Sequence, residues 1–64
     1  MFTNAQMLKI ILEGKNLNIH KLYEKMGCNR NVYTSFEENR FTEKFIRQIE
    51  EIVGEDLSTF INCK

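Results

Sequence analysis

Apolar residues recur at helical spacing along the first half of the chain, and each run follows a residue suited to an N-cap. The first segment begins near Thr3 or Asn4 and ends at Gly14 and Asn16. The second follows Asn18 and stops at Gly27. The predicted buried faces of these two helices are formed by Met7, Leu8, Ile11 and Leu12, and by Ile19, Leu22, Tyr23 and Met26.

The second half continues the same pattern after a short connection at Cys28. Asn29 is predicted to cap a third helix that carries Val32, Tyr33 and Phe36, and Asn39 to Phe41 reads as a loop. A longer helix follows Thr42 and ends at Gly54, and a last turn follows Asp56. Its apolar positions and those of the last turn are Phe45, Ile46, Ile49, Ile52 and Val53, then Leu57, Phe60 and Ile61.

These segments predict an all-α protein, a compact bundle of about five short helices in one domain over residues 1–64. The chain has 64 residues, no proline and 42% hydrophobic residues, which leaves room for one core and argues against disorder. The longest apolar run is only Ile10 to Leu12, so we expect no contact with a membrane. The uncharged start from Met1 to Met7 does not resemble a signal peptide, and we expect a cytoplasmic protein.

The cysteine and histidine residues indicate neither a metal site nor a catalytic site. Cys28 and Cys63 are far apart, and with His20 they are too few for a structural zinc site. We therefore expect two reduced thiols, Cys28 as a small core residue and Cys63 near the terminus, with no metal and no cofactor. A lone, exposed His20 without a nearby nucleophile does not indicate catalysis, so neither an enzyme nor a small-molecule substrate is expected.

Charge is uneven although the net charge is zero. Residues 1–36 contain five basic and two acidic residues, a net charge of +3, whereas residues 37–64 have a net charge of −3. One side of the protein could therefore attract phosphate while the whole remains neutral. Ordinary scatter of surface charge explains the same numbers, so charge alone does not decide the function.

The segment from Ile19 to Glu38 carries the functional signal. It places two helices on either side of a turn in which Gly27 supplies a positive φ, as a helix-turn-helix requires. Leu22, Cys28, Tyr33 and Phe36 fall where the two helices would bury their shared faces. The exposed positions left on the third helix are small and polar or positively charged, which suits base edges and phosphates: Arg30, Asn31, Thr34 and Ser35, with Asn29 at its start.

This order of motifs resembles the helix-turn-helix family of phage Cro proteins and repressors, also called the xenobiotic-response-element type. The run from Leu17 to Gly27 is similar to the family's second helix, and the run from Cys28 to Glu37 to its recognition helix. The polar loop Glu38 to Arg40 and the apolar pattern of the fourth and fifth helices also match: Ile46, Ile49, Ile52, Val53, Gly54 and Leu57. The resemblance covers about fifty residues and implies a lambda-repressor-like fold.

Three features depart from the family pattern. Ile19 stands where the family commonly has a glutamine that contacts phosphate, and Tyr23 stands where it commonly has alanine. The chain is also neutral, with a pI near 6.6, whereas a basic patch is typical of a DNA-binding protein.

The resemblance implies a small transcriptional regulator, such as a repressor, that binds double-stranded DNA through the major groove. Base contacts are expected from the third helix, and phosphate contacts from three cations. The base-contact candidates are Asn29, Arg30, Asn31, Thr34 and Ser35, and the phosphate-contact candidates are Lys21, Arg40 and Lys44. The residue usage hints at an AT-rich bacterial genome, its phage or a mobile element.

A single module of this size would need a partner to bind DNA usefully, so a homodimer is expected. Its predicted interface is the apolar stripe Leu57, Phe60 and Ile61, although packing of this stripe on the domain itself explains the pattern equally well. The alternative function is a protein-binding module on the same fold, such as an antirepressor or a phage-encoded inhibitor of a host factor. Neutral charge, Ile19 and the acidic second half favour that alternative.

Overall fold

Four α-helices and one 3-10 turn make up the computed structural model, which describes residues 1–63. The helices are α1 (Asn4–Gly14), α2 (Ile19–Lys25), α3 (Asn31–Glu38) and α4 (Glu43–Val53), and the 3-10 turn is Ser58–Phe60. These 63 residues contain no β-strand; one isolated parallel bridge joins Thr42 and Cys63. The prediction of an all-α protein is confirmed. The radius of gyration of the Cα atoms is 10.4 Å.

Side-chain caps confirm the predicted starts of α1 and α2. Thr3 Oγ1 accepts a hydrogen bond from Gln6 N at 3.1 Å, and Gln6 Oε1 accepts one from Thr3 N at 2.8 Å. Asn18 Oδ1 accepts from Lys21 N at 2.8 Å at the start of α2. Each bond satisfies a backbone N–H that has no partner within its helix, which fixes where the helix begins.

The turn between α2 and α3 contains two successive left-handed residues. Gly27 has the predicted positive φ, +73°, and Cys28 follows at +58°. Cys28 N donates a hydrogen bond to Tyr23 O at 2.9 Å, which closes the end of α2. The prediction that Cys28 is a core residue is wrong, because this backbone conformation leaves its side chain exposed.

Side chains from all four helices meet in one core. Leu22 of α2 and Val32 of α3 are fully buried there, so these two neighbouring helices share an apolar face. The edge of the Phe36 ring meets the ring of Phe41 at 5.3 Å between centroids, and Phe41 stacks on Phe45 at 6.2 Å. This aromatic contact joins α3, the following loop and the first turn of α4.

Two side chains predicted to be buried lie at the surface instead. Tyr33 is 40% exposed and Met7 is 36% exposed. Val32 and Phe36 occupy the inner side of α3, and Tyr33, rotated by about 100° from Val32 around the helix axis, reaches the edge of the core. There its ring packs against Tyr23 at 5.0 Å between centroids.

The C-terminal segment folds back onto the protein. Leu57 is 2% exposed, Phe60 is 7% exposed and Ile61 is half-buried against the same core. The residues chosen as a dimer interface therefore pack within the chain, which corrects their assignment, and Leu57 and Phe60 are not available to a second copy. The last helix is a single 3-10 turn, before which Asp56 Oδ1 accepts a hydrogen bond from Ser58 N at 3.0 Å.

Two asparagines hold the loop between α3 and α4. Asn39 adopts φ +55° and its Oδ1 accepts a hydrogen bond from Ala5 N at 2.8 Å. Asn62 Oδ1 accepts from Phe41 N at 2.7 Å, and Asn62 Nδ2 donates to Asn39 O at 2.8 Å. The loop is thus tied to α1 and to the C-terminal segment, which fixes where α4 begins relative to α3.

Candidate functional site

A polar depression lies between α3 and the first half of α4, and we call it the α3–α4 cleft. Its volume is about 290 Å³, and it is open to solvent. Three carboxamides, three hydroxyls, one ammonium group and one aromatic ring line it. The lining residues are Asn29, Asn31, Thr34, Ser35, Thr42, Lys44, Phe45 and Gln48.

Residues at the starts of both helices line this cleft, and a side-chain hydrogen bond lies at each start. Asn29 Oδ1 accepts a hydrogen bond from Asn31 N at 3.0 Å, which stabilises the first turn of α3. Thr42 Oγ1 accepts one from Phe45 N at 3.2 Å, which stabilises the first turn of α4. The prediction that Asn29 is the N-cap is wrong by one residue: Arg30 holds that position without a side-chain cap, and Asn29 binds the first N–H of the helix from one residue further out. The positive end of each helix dipole therefore lies on the cleft side of the protein.

Phe45 forms the apolar floor of the cleft. Its side chain is only 6% exposed and packs edge-on against Phe36 at 6.5 Å between ring centroids. Because the floor belongs to the core, the spacing between the two walls is set by the fold rather than by flexible surface side chains. The polar groups above it are consequently held in a fixed relative arrangement.

The electrostatics of the cleft differ from those of the whole protein. Lys44 is its one charged lining residue, and none of the nine acidic residues lines it. Within residues 1–63, neither Lys44 nor Arg30 takes part in an ion pair. Arg47, one turn further along α4, is by contrast paired with both Glu43 and Glu50. The lining of the cleft therefore carries one positive charge and no negative charge, although the whole protein has a net charge of zero.

The structure brings five of the predicted contact residues together. Four base-contact candidates and one phosphate-contact candidate line the same cleft: Asn29, Asn31, Thr34, Ser35 and Lys44. Asn31, Thr34 and Lys44 are exposed, whereas Asn29 and Ser35 are half-buried. These residues come from two helices and the turn before α3, so their proximity is a property of the fold.

Three other predicted contact residues lie outside the cleft. Arg30 is exposed and immediately precedes α3. Lys21 Nζ donates a hydrogen bond to Asn16 O at 3.3 Å. Arg40 lies in the loop, with Nη1 3.8 Å from a Glu38 carboxylate oxygen.

Two polar residues of the cleft, Thr42 and Gln48, are not among the contact residues predicted from the sequence. The sequence indicates Thr42 only as a helix cap and indicates no role for Gln48. Gln48 follows Lys44 by four residues, which puts both on one side of α4. That spacing was visible in the sequence, but the position of α3 opposite was not.

A second surface feature is an aromatic cluster where α2 meets α3. Tyr33 Oη lies 2.9 Å from His20 Nδ1, and His20 Nε2 lies 3.7 Å from a Glu24 carboxylate oxygen. His20 is exposed, as predicted, and together with the Tyr23–Tyr33 contact it links the two helices at their surface. The cluster lies on the other flank of α3 from the cleft.

Residues 1–63 contain no group of three or more histidine, cysteine, aspartate or glutamate side chains that could hold a metal ion. No helix among them is long and apolar enough to cross a membrane.

Comparisons with protein-family models, with curated proteins and with solved structures find no match to this chain.

Proposed function

We propose that this protein is a sequence-specific DNA-binding transcriptional regulator in which α2, the turn and α3 act as a helix-turn-helix. In this proposal α3 enters the major groove, where its exposed polar side chains contact base edges. The single observation that carries the proposal is the α3–α4 cleft, a polar depression without carboxylates that contains five of the eight predicted DNA-contact residues.

The connection between α2 and α3 supports this proposal. The two helices share the buried pair Leu22 and Val32, and the left-handed residues Gly27 and Cys28 form the tight turn between them. Such a turn, with a shared apolar face, is what a helix-turn-helix needs to hold its second helix outward. Asn31 and Thr34 are exposed on that second helix and Arg30 is exposed just before it, so all three are free to meet a ligand.

The charge distribution also supports a polyanionic ligand. Phosphate contacts supply much of the affinity of proteins for DNA, and cations already neutralised by carboxylates contribute less to it. Lys44 and Arg30 have no ion-pair partner within residues 1–63, whereas Arg40 lies near Glu38. Lys44 should therefore be the stronger of the two phosphate contacts proposed from the loop and α4.

In the cell, the proposed regulator would act by occupancy. A homodimer on two half-sites about one DNA turn apart would supply the affinity that one small module lacks. Blocking or recruiting a polymerase would then depend on the protein's abundance. The expected setting remains the cytoplasm of a bacterium or of a phage-infected bacterium.

A salt titration of DNA binding tests this function. Fluorescence anisotropy with a labelled mixed-sequence duplex should show binding at low salt that weakens steadily as salt is added. Lys44→Ala should weaken binding equally for all sequences and flatten the slope by about one unit. Arg40→Ala should do the same to a smaller extent.

The matched control is Lys15→Ala, which removes a cation that pairs with Glu55 at 3.8 Å and lies outside the cleft. It should leave the slope nearly unchanged. Absence of binding by the unaltered protein at low salt would contradict the proposed function. Sedimentation of the same protein at tens of micromolar then tests the homodimer, which a purely monomeric species would exclude at that concentration.

A second candidate function is a protein-binding module, and two exposed apolar side chains, one in α1 and one before it, favour it. Phe2 is 64% exposed and Ile10 is 55% exposed, and both are large apolar side chains that a bound protein would cover. Phe2→Ser with Ile10→Ser should abolish binding to a protein partner while leaving DNA binding intact. Loss of DNA binding in this double variant would instead show that these two side chains contribute to the DNA-binding function proposed first.

A further inference from the structure

We propose that α4 forms a second DNA-contacting edge, in which the carboxamide of Gln48 binds the sugar–phosphate backbone beside Lys44. This inference rests on the proposed DNA-binding function and assigns to it a residue that neither the helix-turn-helix pattern nor the charge pattern indicates. Its starting observation is that Gln48 lines the α3–α4 cleft together with Lys44 and with residues of α3.

The position of Gln48 follows from the geometry of α4. Phe45, Ile46 and Ile49 are buried on the inner side of this helix. Lys44 and Gln48 are exposed and are separated by four residues, or about 6 Å along the helix axis. They therefore form a row parallel to α4, on the wall of the cleft that faces α3.

No hydrogen bond and no burial among residues 1–63 explains the presence of Gln48 at this position. Among residues 1–63 its side chain makes no hydrogen bond, and it is exposed rather than packed in the core. A glutamine side chain offers two N–H donors and one carbonyl acceptor. These groups are free to meet phosphate or sugar oxygens of a nucleic acid seated over the cleft.

The backbone is a better ligand for Gln48 than a base edge. If α3 lies in the major groove, the neighbouring helix α4 lies at the side of the groove, where the phosphates of one strand run. Glutamine is among the side chains that commonly contact phosphate and sugar, and such contacts fix the register of a protein on DNA without reading its sequence. Lys44 would neutralise a phosphate, and Gln48 would bind the backbone next to it.

This assignment makes a prediction that separates Gln48 from Lys44. A neutral hydrogen bond releases no counterion, so Gln48→Ala should weaken binding about two- to tenfold on every duplex while leaving the salt slope unchanged. Gln48→Lys should increase the slope by about one unit, because it adds a cation at the same place. Gln48→Glu should weaken binding to all sequences more than Gln48→Ala does.

The matched control for charge is Glu13→Gln on α1, which raises the net charge by one unit outside the cleft, as Gln48→Lys does inside it. Its salt slope should stay close to that of the unaltered protein. All variants change exposed side chains, and circular dichroism of each should match the parent.

Wild-type affinity and slope in both Gln48→Ala and Gln48→Lys, with weakened binding in Lys44→Ala, would overturn the role of Gln48 and leave the proposed function standing. A loss confined to one sequence would also overturn it, because Gln48 would then read a base. If the unaltered protein binds no duplex at low salt, the proposed function and this inference both fail.

Discussion

The carboxamide oxygen of Asn62 accepts a hydrogen bond from the backbone N–H of Phe41 at 2.7 Å, across twenty-one positions of the sequence. Phe41 is fully buried between α3 and α4, and its position determines where Thr42 starts α4. The C-terminal segment thereby fixes one wall of the α3–α4 cleft. A residue outside every predicted site thus helps to shape the candidate site.

Asn62→Ala should lower the free energy of unfolding by about 1–3 kcal/mol, because it leaves the N–H of Phe41 and the carbonyl of Asn39 without their partner. Urea denaturation measures this change. Asn31→Ala is the control, since the side chain of Asn31 makes no hydrogen bond among residues 1–63 and alanine favours a helix. Equal stability of the two variants would show that the two hydrogen bonds of the Asn62 side chain contribute nothing to the free energy of unfolding.

Gly27→Ala should destabilise the protein by about 1 kcal/mol, because φ of +73° is unfavourable for a residue with a side chain. A β-carbon at Gly27 would have no atom within 4 Å, so the cost is conformational rather than steric. Gly14 is the natural control: it is helical, and a β-carbon there also meets nothing.

Gly14→Ala should therefore stabilise α1, by up to about 1 kcal/mol. Thermal denaturation should move the two melting temperatures in opposite directions. A raised or unchanged melting temperature for Gly27→Ala would mean that the turn between α2 and α3 does not depend on its left-handed conformation.

Arg30→Ala should reduce specific DNA affinity by about 1–3 kcal/mol and relax the preference at one base pair, as expected for loss of a bidentate contact. Its melting temperature should hardly change because the side chain is exposed. Gel-shift titration against an operator and its single-base variants measures both quantities. Unchanged affinity would remove Arg30 from the proposed interface and leave the base contacts to the cleft residues.

Phe60→Ala should cost about 3–5 kcal/mol of stability, since Phe60 is 7% exposed within the core. A core of this size supplies about 3–5 kcal/mol in total, so much of the variant should be unfolded by circular dichroism. Thr59→Ala, at an exposed position in the same 3-10 turn, is the control. A folded Phe60→Ala protein of normal stability would contradict the burial of the C-terminal segment.

The sequence by itself determined the helices, because the signals that form them are local. A capping side chain lies within three residues of the N–H it binds, as Thr3, Asn18 and Thr42 do. A left-handed glycine ends a helix wherever the chain goes next, as Gly54 does at φ +80°. Helix starts, stops and the all-α class could therefore be predicted without knowing what each helix packs against.

Only the tertiary structure decided which apolar residues reach the core and which polar residues meet. A small core has room for only a few side chains. Leu57 and Phe60 are buried in it, whereas Tyr33 and Cys28 lie at the surface. The pairing of Gln48 with α3 depends on how far apart and at what angle two helices lie. That geometry is set by contacts between residues distant in the chain, such as Asn62 with Phe41, which no periodicity in the sequence encodes.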